Sequence, residues 1–394
     1  MKPSPFILLC ATGLFAIFSS TISKSPALPL FTSYLGGDPS MVGMVAAVSA
    51  FTGIVASIPA GILADRWGRK RLLVISAIIF ASAPFLYLLV TKIWQLAIIR
   101  FYHGLATAIF VPVAMALIAG LFHGERGERM GWFSTATLFG RFMAPVIGGA
   151  IIGAMALNPE IGYKVVYLVC GGAGILVLLL ALKIPDPNGG AKNYQNWKET
   201  LRAFKTVISN KEILFTSVVE AAILFAYGTF ETFLPLYSLK IGLSAYIVGI
   251  FLSAQVITLA LAKPVMGRFS DKHGRRPQIF AGAIIGAVCI GAFSFFTSFV
   301  PLLVLSVSFG LSLSIVTSAT AALIADLSKK ETHGVAMGTL GSIMDMGHTT
   351  GPLISGFIAA YFGLAFSFVG ASVILLFFAF VFLWGTIHHQ AVIS

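Results

Sequence analysis

Charged residues are scarce in this sequence: Asp, Glu, Lys and Arg together make up 10% of its 394 residues. A soluble globular protein carries about 25%, so these charges are too few to cover a surface that faces water. Hydrophobic residues make up 58%, which also excludes a disordered chain, because disorder requires low hydrophobicity. The composition predicts a protein embedded in a lipid bilayer.

Signatures of catalysis are lacking too. The three cysteines, Cys10, Cys170 and Cys289, lie far apart and match neither a disulfide framework nor a metal site. No nucleotide-binding loop of the Gly-x-x-x-x-Gly-Lys-[Ser/Thr] type occurs, so ATP hydrolysis is not expected to supply energy. We expect no enzyme, no cofactor and no metal.

Long apolar runs are what the sequence has instead. Runs of about 20 residues suit helices that cross a bilayer, whereas membrane barrels use alternating segments of about 10 residues. The first run resembles a secretory signal but continues to Tyr34 without a convincing cleavage site. We predict twelve membrane helices, at 6–34, 41–64, 72–91, 94–121, 131–156, 163–183, 212–239, 245–267, 277–297, 300–326, 334–361 and 363–386.

The formal net charge of +12 is concentrated in the even-numbered connections between these segments. Lys and Arg accumulate in loops that stay in the cytoplasm. We therefore expect a multi-pass protein of the plasma (cytoplasmic) membrane, the inner membrane of a bacterial cell, with both termini in the cytoplasm. The charge reports topology, and no nucleic-acid partner is expected.

The sequence repeats itself at an offset of 206 residues. The stretch from Gly61 to Lys70 returns from Gly267 to Arg276, and Leu28-Pro29-Leu30 returns as Leu234-Pro235-Leu236. Six helices therefore repeat as six helices in parallel orientation. We expect an N-terminal bundle at 1–184, a cytoplasmic linker at 185–211 and a C-terminal bundle at 212–394. Within the linker, residues 197–208 are expected to form an interfacial helix.

The repeated motif, Gly-x-x-x-Asp-[Arg/Lys]-x-Gly-[Arg/Lys]-[Arg/Lys] after the second and eighth segments, resembles the signature of the major facilitator superfamily, and the resemblance covers the whole chain. It implies an all-α integral membrane fold with two six-helix bundles related by a pseudo-twofold axis along the membrane normal. It also implies a secondary active transporter that works by alternating access. A monomer is expected.

The resemblance implies that the motif loops act as a conformational latch on the cytoplasmic side. Glycine permits close helix approach and a tight turn, and the aspartate can meet the positive end of a helix. The alternative is that the basic residues only set orientation. The latch residues are Gly61, Asp65, Arg66, Gly68, Arg69 and Lys70 in the first copy and Asp271, Gly274 and Arg275 in the second.

Two further elements resemble those of the family's proton-coupled members and its drug:proton antiporter branch. Arg100 and His103, in the fourth segment, match an Arg-x-x-Gln-Gly element with histidine in place of glutamine. Arg100 either faces a cavity, where it tunes a carboxylate, or extends to the membrane interface. The other element is a hinge that also reads as simple close packing; its residues are Gly140, Pro145, Gly148 and Gly149, with Gly351 and Pro352 in the second half.

Each charge inside a span is a functional hypothesis by default. Glu231 and Asp345 are the expected proton-binding acids, with Arg100 as a coupling residue. Lys24 and Glu231 lie at similar depths in the first and seventh segments, which predicts an ion pair between the two halves. The expected substrate-binding residues are Lys24, His103, Arg141 and His348.

The favoured function is proton-coupled efflux of drug-like or amphipathic small molecules, with protons and a small-molecule substrate as partners. One alternative keeps the fold and carries an organic anion or zwitterion, in either direction, because the first half holds cations and no deep acid. A polytopic sensor or a channel is less favoured, since neither needs two latch loops.

Overall fold

The computed structural model describes residues 4–122, 124–185, 210–328 and 333–393. Contacts divide the chain into two compact units. The first unit comprises Met1–Tyr194 together with Ser244–Ser253, and the second comprises Gln195–Leu243 and Ala254–Ser394. The interfacial helix predicted at 197–208 lies outside the described residues.

The described N-terminal half contains α1 (Pro5–Ile22), α2 (Ala27–Tyr34), α3 (Pro39–Trp67), α4 (Arg69–Leu86), α5 (Ile93–Leu121), α6 (Arg126–Ala154) and α7 (Pro159–Lys183). The described C-terminal half contains α8 (Lys211–Lys240), α9 (Ala245–His273), α10 (Arg275–Ala292), α11 (Phe299–Leu327), α12 (His333–Phe362) and α13 (Leu364–Ile393). Every predicted segment overlaps one or two of these helices, which confirms the all-α prediction.

The first predicted segment is not one continuous helix. α1 ends at Ile22, residues 23–26 form a turn, and α2 begins at Ala27. Proline has no N–H, and its ring clashes with the carbonyl four residues earlier, so Pro26 explains why α1 stops. The prediction of one continuous helix was wrong, although Pro5–Tyr34 is still a single candidate span, and Lys24 lies in the turn instead of on a helix.

Eleven segments in the described part of the chain are long and apolar enough to cross a membrane. One of them, Pro5–Tyr34, combines α1 and α2. α12 is helical where the eleventh span is predicted, but it is not among these eleven segments. It carries Asp345 and His348, so its sequence is more polar than that of a simple lipid-facing span.

The internal repeat reappears in the backbone. Gly36 and Gly242, 206 residues apart, have φ of +86° and +87°, and Gly68 and Gly274, also 206 apart, have +95° and +92°. Short 3-10 turns, Tyr87–Leu89 and Phe293–Phe295, follow α4 and α10 at the same offset. Left-handed φ values favour glycine, so both motif loops turn at the glycine that the sequence places there.

Helix packing repeats as well. In the first unit α1 packs along α6 and α7, and α4 packs along α5 and α7. In the second unit α8 packs along α12 and α13, and α10 packs along α11 and α13. The core of the first unit includes Phe80, Phe110 and Phe133, which are buried between α4, α5 and α6. These four helix pairs therefore recur in both units.

Candidate functional site

The second unit brings Glu231 and His348 together. Glu231 lies on α8 and His348 on α12, and Nε2 of the imidazole is 3.2 Å from Oε2 of the carboxylate. Glu231 is 7% exposed. The ring of Tyr227, one turn earlier on α8, stacks on the imidazole with 5.2 Å between ring centroids. An acid and a base this close and this well shielded can exchange a proton.

Close approach of the α8 and α12 backbones sets up this pair. A Cβ added at Gly347 would overlap the carbonyl oxygen of Ala221, and one added at Gly351 would overlap that of Phe225. Pro352 packs beside Gly228 in the same contact. Small residues let α8 and α12 touch. The side chains of Glu231 and His348 can therefore reach each other across the contact between the two helices.

Asp345 and Lys24 are both half-buried. Asp345 lies on α12 about one turn before His348, and its backbone carbonyl accepts a hydrogen bond of 2.7 Å from the Thr349 hydroxyl. The neighbour found for Glu231 is His348, a residue of its own unit. The predicted pair between Lys24 and Glu231 stays a prediction.

Glu220 is a second buried acid on α8. Its side chain is 1% exposed, and its carboxylate accepts a hydrogen bond of 2.5 Å from the Thr320 hydroxyl on α11. Lys263, on α9, is close enough to act on it electrostatically. From the sequence, Glu220 is expected only to pair with Lys211 or to lie at the membrane interface, because it is near the end of its segment. The sequence does not show how deeply its side chain is buried.

Arg100 lies in the interior of the first unit, with 1% of its surface exposed. Its two Nη atoms donate to the hydroxyls of Ser23 (3.1 Å) and Ser49 (3.0 Å), and its Nε has no hydrogen-bond partner among the described residues. This burial shows that Arg100 packs inside the unit; whether its side chain faces a cavity or extends to the membrane interface stays a prediction. No carboxylate of the described residues lies within ion-pair distance of it, so its role in tuning an acid stays a prediction.

His103 is buried beside Arg100, on the same helix. It is 1% exposed, and neither ring nitrogen has a hydrogen-bond partner among the described residues. Its ring packs edge-on against Phe80 at 5.8 Å and lies 6.0 Å from the ring of Tyr87. This packing leaves no open face for a substrate in the structure, and a binding role for His103 stays a prediction.

α6 supplies the hinge residues and Arg141. A Cβ at Gly140 would overlap the carbonyl oxygen of Leu14 on α1. Gly148 and Gly149 lie against the turn after α1 and the first residues of α9 respectively, and Pro145 is buried with them. Arg141 is exposed and has no hydrogen bond or ion pair among the described residues. These contacts are those of close packing; motion at a hinge stays a prediction.

The first motif loop is only partly described. Gly61, Asp65 and Arg66 lie on α3, and their side-chain surroundings fall outside the described part. Gly68 ends α3, and Arg69 donates from Nη1 to the carbonyl of Ala116 on α5 at 2.8 Å. Lys70 is half-buried at the start of α4.

In the second loop the charges pair within their own unit. Arg275 contacts Asp271 at 3.1 Å and Asp326 at 2.5 Å. Arg276 donates from Nε to Glu212 at 2.7 Å and from Nη2 to the same oxygen. Gly274 separates α9 from α10. These pairs tie the ends of α8, α9, α10 and α11 together; the latch role of either loop stays a prediction.

Comparison with known families decides the class of the protein. The model of the Major Facilitator Superfamily matches residues 8–257 and 238–392. The chain belongs to this superfamily. It is a multi-pass membrane protein that transports small molecules, and it is not an enzyme.

Characterised and uncharacterised relatives of this transporter share about a quarter of its residues. It is 27% identical over 399 residues to the multidrug resistance protein MdtG of Escherichia coli, covering 98% of this chain and 95% of that protein. It is 25% identical over 348 residues to an uncharacterised MFS-type transporter of Methanocaldococcus jannaschii, covering 86% and 88%.

Solved structures share the fold of this transporter at lower identity. A bacterial homologue of the human lysosomal transporter Spinster, in an inward-facing and occupied conformation, superposes with a TM-score of 0.84 at 15% identity, covering 97% of this chain and 96% of that chain. The nucleoside transporter NupG gives 0.81 at 15% identity, covering 98% of this chain and 99% of that chain. At this identity the likeness shows the fold alone.

Sequence reasoning missed three pairings in the transporter: Glu212 with Arg276, Arg275 with Asp326, and Glu220 with Thr320. The partners lie 51 to 100 residues apart along the chain. Only the charge of Glu212 and Asp326 at helix ends beside the basic loops hinted at the first two. No signal in the sequence pointed to Thr320, because a threonine in a membrane helix is unremarkable.

Proposed function

We propose that this transporter couples the inward movement of protons to efflux of drug-like or amphipathic molecules by alternating access. The observation that carries the proposal is the shielded Glu231–His348 pair, 3.2 Å apart, with Tyr227 stacked on the imidazole. Similarity to MdtG, named a multidrug resistance protein, supports the substrate class. We place the protein in the plasma membrane as a monomer with both termini in the cytoplasm.

The pair explains how a proton can change the protein. When the carboxylate of Glu231 is negative and the imidazole of His348 is protonated, each charge stabilises the other. A further proton on the carboxylate removes that attraction and leaves a cationic imidazole. A ligand or proton shifts a conformational equilibrium only by its differential interaction with the two states. Asp345, about one turn away on α12, is the second proton-binding candidate.

In this proposal the halves 1–184 and 212–394 move as bundles joined by the linker 185–211. The motif loops, from Gly61 to Lys70 and from Asp271 to Arg275, latch one of the two states. Lys24, Arg141, His103 and His348 bind substrate, Arg100 supports coupling, and the glycine and proline residues of α6 and α12 form the hinge.

The test is transport by the purified protein in liposomes with an imposed pH gradient, using tetraphenylphosphonium as a lipophilic cation. Glu231→Gln and Asp345→Asn keep side-chain size and remove the proton site. We expect each to abolish gradient-driven accumulation while tetraphenylphosphonium binding persists. Glu125→Gln is the matched control, since Glu125 is 55% exposed and pairs with Arg129, one turn away on the same helix. Full gradient-driven transport in both acid variants would exclude coupling through these acids.

A second function, carriage of an organic anion, is favoured by one observation: the buried guanidinium of Arg100 has no carboxylate partner among the described residues. The same liposomes decide between the two. Saturable movement of p-aminohippurate without movement of tetraphenylphosphonium would replace the efflux proposal with this one.

A further inference from the structure

A pocket outside the Glu231–His348 site opens at one end of the first unit. It has a volume of about 290 Å³ and lies between α2, the 3-10 turn after α4 and the first turns of α7. Its walls include Phe31, Tyr34 and Tyr163, and Tyr87 and Tyr167 form its floor. The volume is close to the lower limit for small-molecule sites, about 300 Å³, so it suits a compound with a single ring.

The walls are aromatic and already arranged to receive a ring. Phe31 and Tyr163 have centroids 5.1 Å apart, and Tyr34 lies 5.5 Å from Tyr163. On the floor, Tyr87 and Tyr167 stack in parallel, with 4.3 Å between centroids and 4° between ring planes. Aromatic rings bind further rings at offset-stacked or edge-on positions with centroids about 4.5–7 Å apart. The shape and lining therefore favour an aromatic ligand.

Beneath the floor lies a positive charge that nothing in the described residues neutralises. The hydroxyls of Tyr87 and Tyr167 are buried and have no hydrogen bond of normal geometry to any residue that the structure describes, and Arg100 acts on both electrostatically. The guanidinium donates to the hydroxyls of Ser23 and Ser49, and no carboxylate of the described residues pairs with it. A buried charge is costly unless it is paired, so an anion close to this floor would stabilise the arrangement.

The charges that line the pocket do not offset Arg100. Glu160 and Lys164 are the charged lining residues, and they pair with each other at 2.6 Å on the rim. Their net contribution is zero, and both side chains are at least half exposed, so solvent screens them. The charge that acts on the two tyrosines of the floor is that of Arg100, and a cation attracts anions and repels other cations.

We propose that this pocket binds a small aromatic carboxylate, with the ring among Phe31, Tyr34 and Tyr163 and the carboxylate turned toward the floor above Arg100. The site goes beyond the proposed transport function, because its binding can be measured in the absence of any gradient or transport. It gives the first unit a ligand of its own chemistry, distinct from a lipophilic cation.

The test uses the full-length protein in detergent at neutral pH and isothermal titration with three probes of one size. Benzoate carries the negative charge, benzyl alcohol is neutral and benzylammonium is positive. We expect benzoate to bind at least about tenfold more tightly than either other probe, which corresponds to roughly 1.4 kcal/mol. Equal or tighter binding of benzylammonium or benzyl alcohol would overturn the proposal, as would no binding of benzoate.

Two variants locate the site. Tyr34→Ala removes an exposed part of the wall and is expected to weaken benzoate binding by about tenfold, in line with the loss of a stacking contact. Tyr246→Ala is the matched control, since Tyr246 is 49% exposed, against 48% for Tyr34, and does not line the pocket. An unchanged benzoate affinity in Tyr34→Ala, or an equal loss in Tyr246→Ala, would place the binding elsewhere and overturn the assignment.

Arg100→Gln tests the charge and should remove the preference for benzoate over benzyl alcohol. If this variant does not fold, Tyr167→Phe serves in its place, because it keeps the stacked ring and deletes one hydroxyl of the floor. That variant should lower benzoate affinity several-fold and leave benzyl alcohol affinity unchanged. Retention of the full preference for benzoate in the variant that folds would contradict the role of the floor.

Discussion

One backbone contact is built twice in this transporter, and it gives a sharp prediction. Gly140 on α6 lies against the carbonyl of Leu14 on α1, and Gly347 on α12 lies against the carbonyl of Ala221 on α8. The two glycines are 207 residues apart in the sequence, and so are the two residues whose carbonyls they contact. A Cβ at either glycine would overlap a backbone oxygen, which is held in place by its own helix and has no rotamer with which to move aside.

The expected effect of alanine follows from two opposed terms. Replacing glycine by alanine inside a helix stabilises by about 0.5–1 kcal/mol when space allows. Overpacking against a fixed neighbour costs about 1–3 kcal/mol. We therefore expect Gly140→Ala and Gly347→Ala each to destabilise their unit by a net amount of about 1–2 kcal/mol. Gly172→Ala is the control, because a Cβ there meets no atom within 4 Å, and it should stabilise slightly.

The measurement is thermal unfolding of the purified variants in one detergent, followed by intrinsic fluorescence. The two contact variants should melt below the wild type and Gly172→Ala at or above it. The opposite signs make the comparison independent of the absolute scale. If all three variants melted together, or if only one of the two contact variants lost stability, the duplicated contact would not have the tightness that the structure gives it.

Two further predictions concern charges near helix ends. The Ser40 hydroxyl (2.6 Å) and the Met41 N–H (2.9 Å) donate to Asp38 and hold the pKa of its carboxyl below the usual value. The charged carboxylate therefore stabilises the folded state at neutral pH. This contribution is lost as the pH falls through the lowered pKa. Asp38→Ala should lower the free energy of unfolding by about 1 kcal/mol at pH 7, because the helix cap is lost. Between pH 7 and pH 3 the variant should lose less thermal stability than the wild type. An equal loss of stability in the two proteins would contradict the role of Asp38 as a cap. The side chains of Glu212 and Arg276 are 10% and 34% exposed, and a double-mutant cycle on this pair should give a coupling energy of about 1–2 kcal/mol. The exposed pair of Glu160 and Lys164 should give about 0.5 kcal/mol or less. Equal coupling energies would show that burial does not strengthen the first pair.

The sequence was sufficient to predict the helical fold and its duplication because both leave periodic or repeated marks. Apolar runs of bilayer length have few alternatives to helices, and the recurrence of Gly68 as Gly274 carries a conformational demand for positive φ. The break in the first span was missed, because one proline inside an apolar run does not say whether a helix bends or stops. In this chain Pro26 stops α1.

The candidate site was less predictable because its contacts depend on rotation and depth of helices. Glu231 and His348 were both singled out as intramembrane charges, yet neither residue type nor spacing indicated that they contact each other, 117 residues apart. The position of Arg100 near a helix end allows two interpretations, a side chain that faces a cavity or one that extends to the membrane interface. Only the packing of α5 shows that it is buried, since depth along a span and burial within a bundle are independent.

The duplicated frame carries different charged residues in its two halves. Arg141 stands on α6 at the position that His348 occupies on α12, 207 residues later, and Lys24 is related to Glu231 by the same offset. Lys and Arg keep their charge across the physiological pH range, whereas Glu and His can titrate there when their environment changes. The first unit therefore presents fixed cations where the second presents an acid–base pair. In the proposed mechanism protons therefore act on the pair of Glu231 and His348 in the second unit, at positions where the first unit carries Lys24 and Arg141.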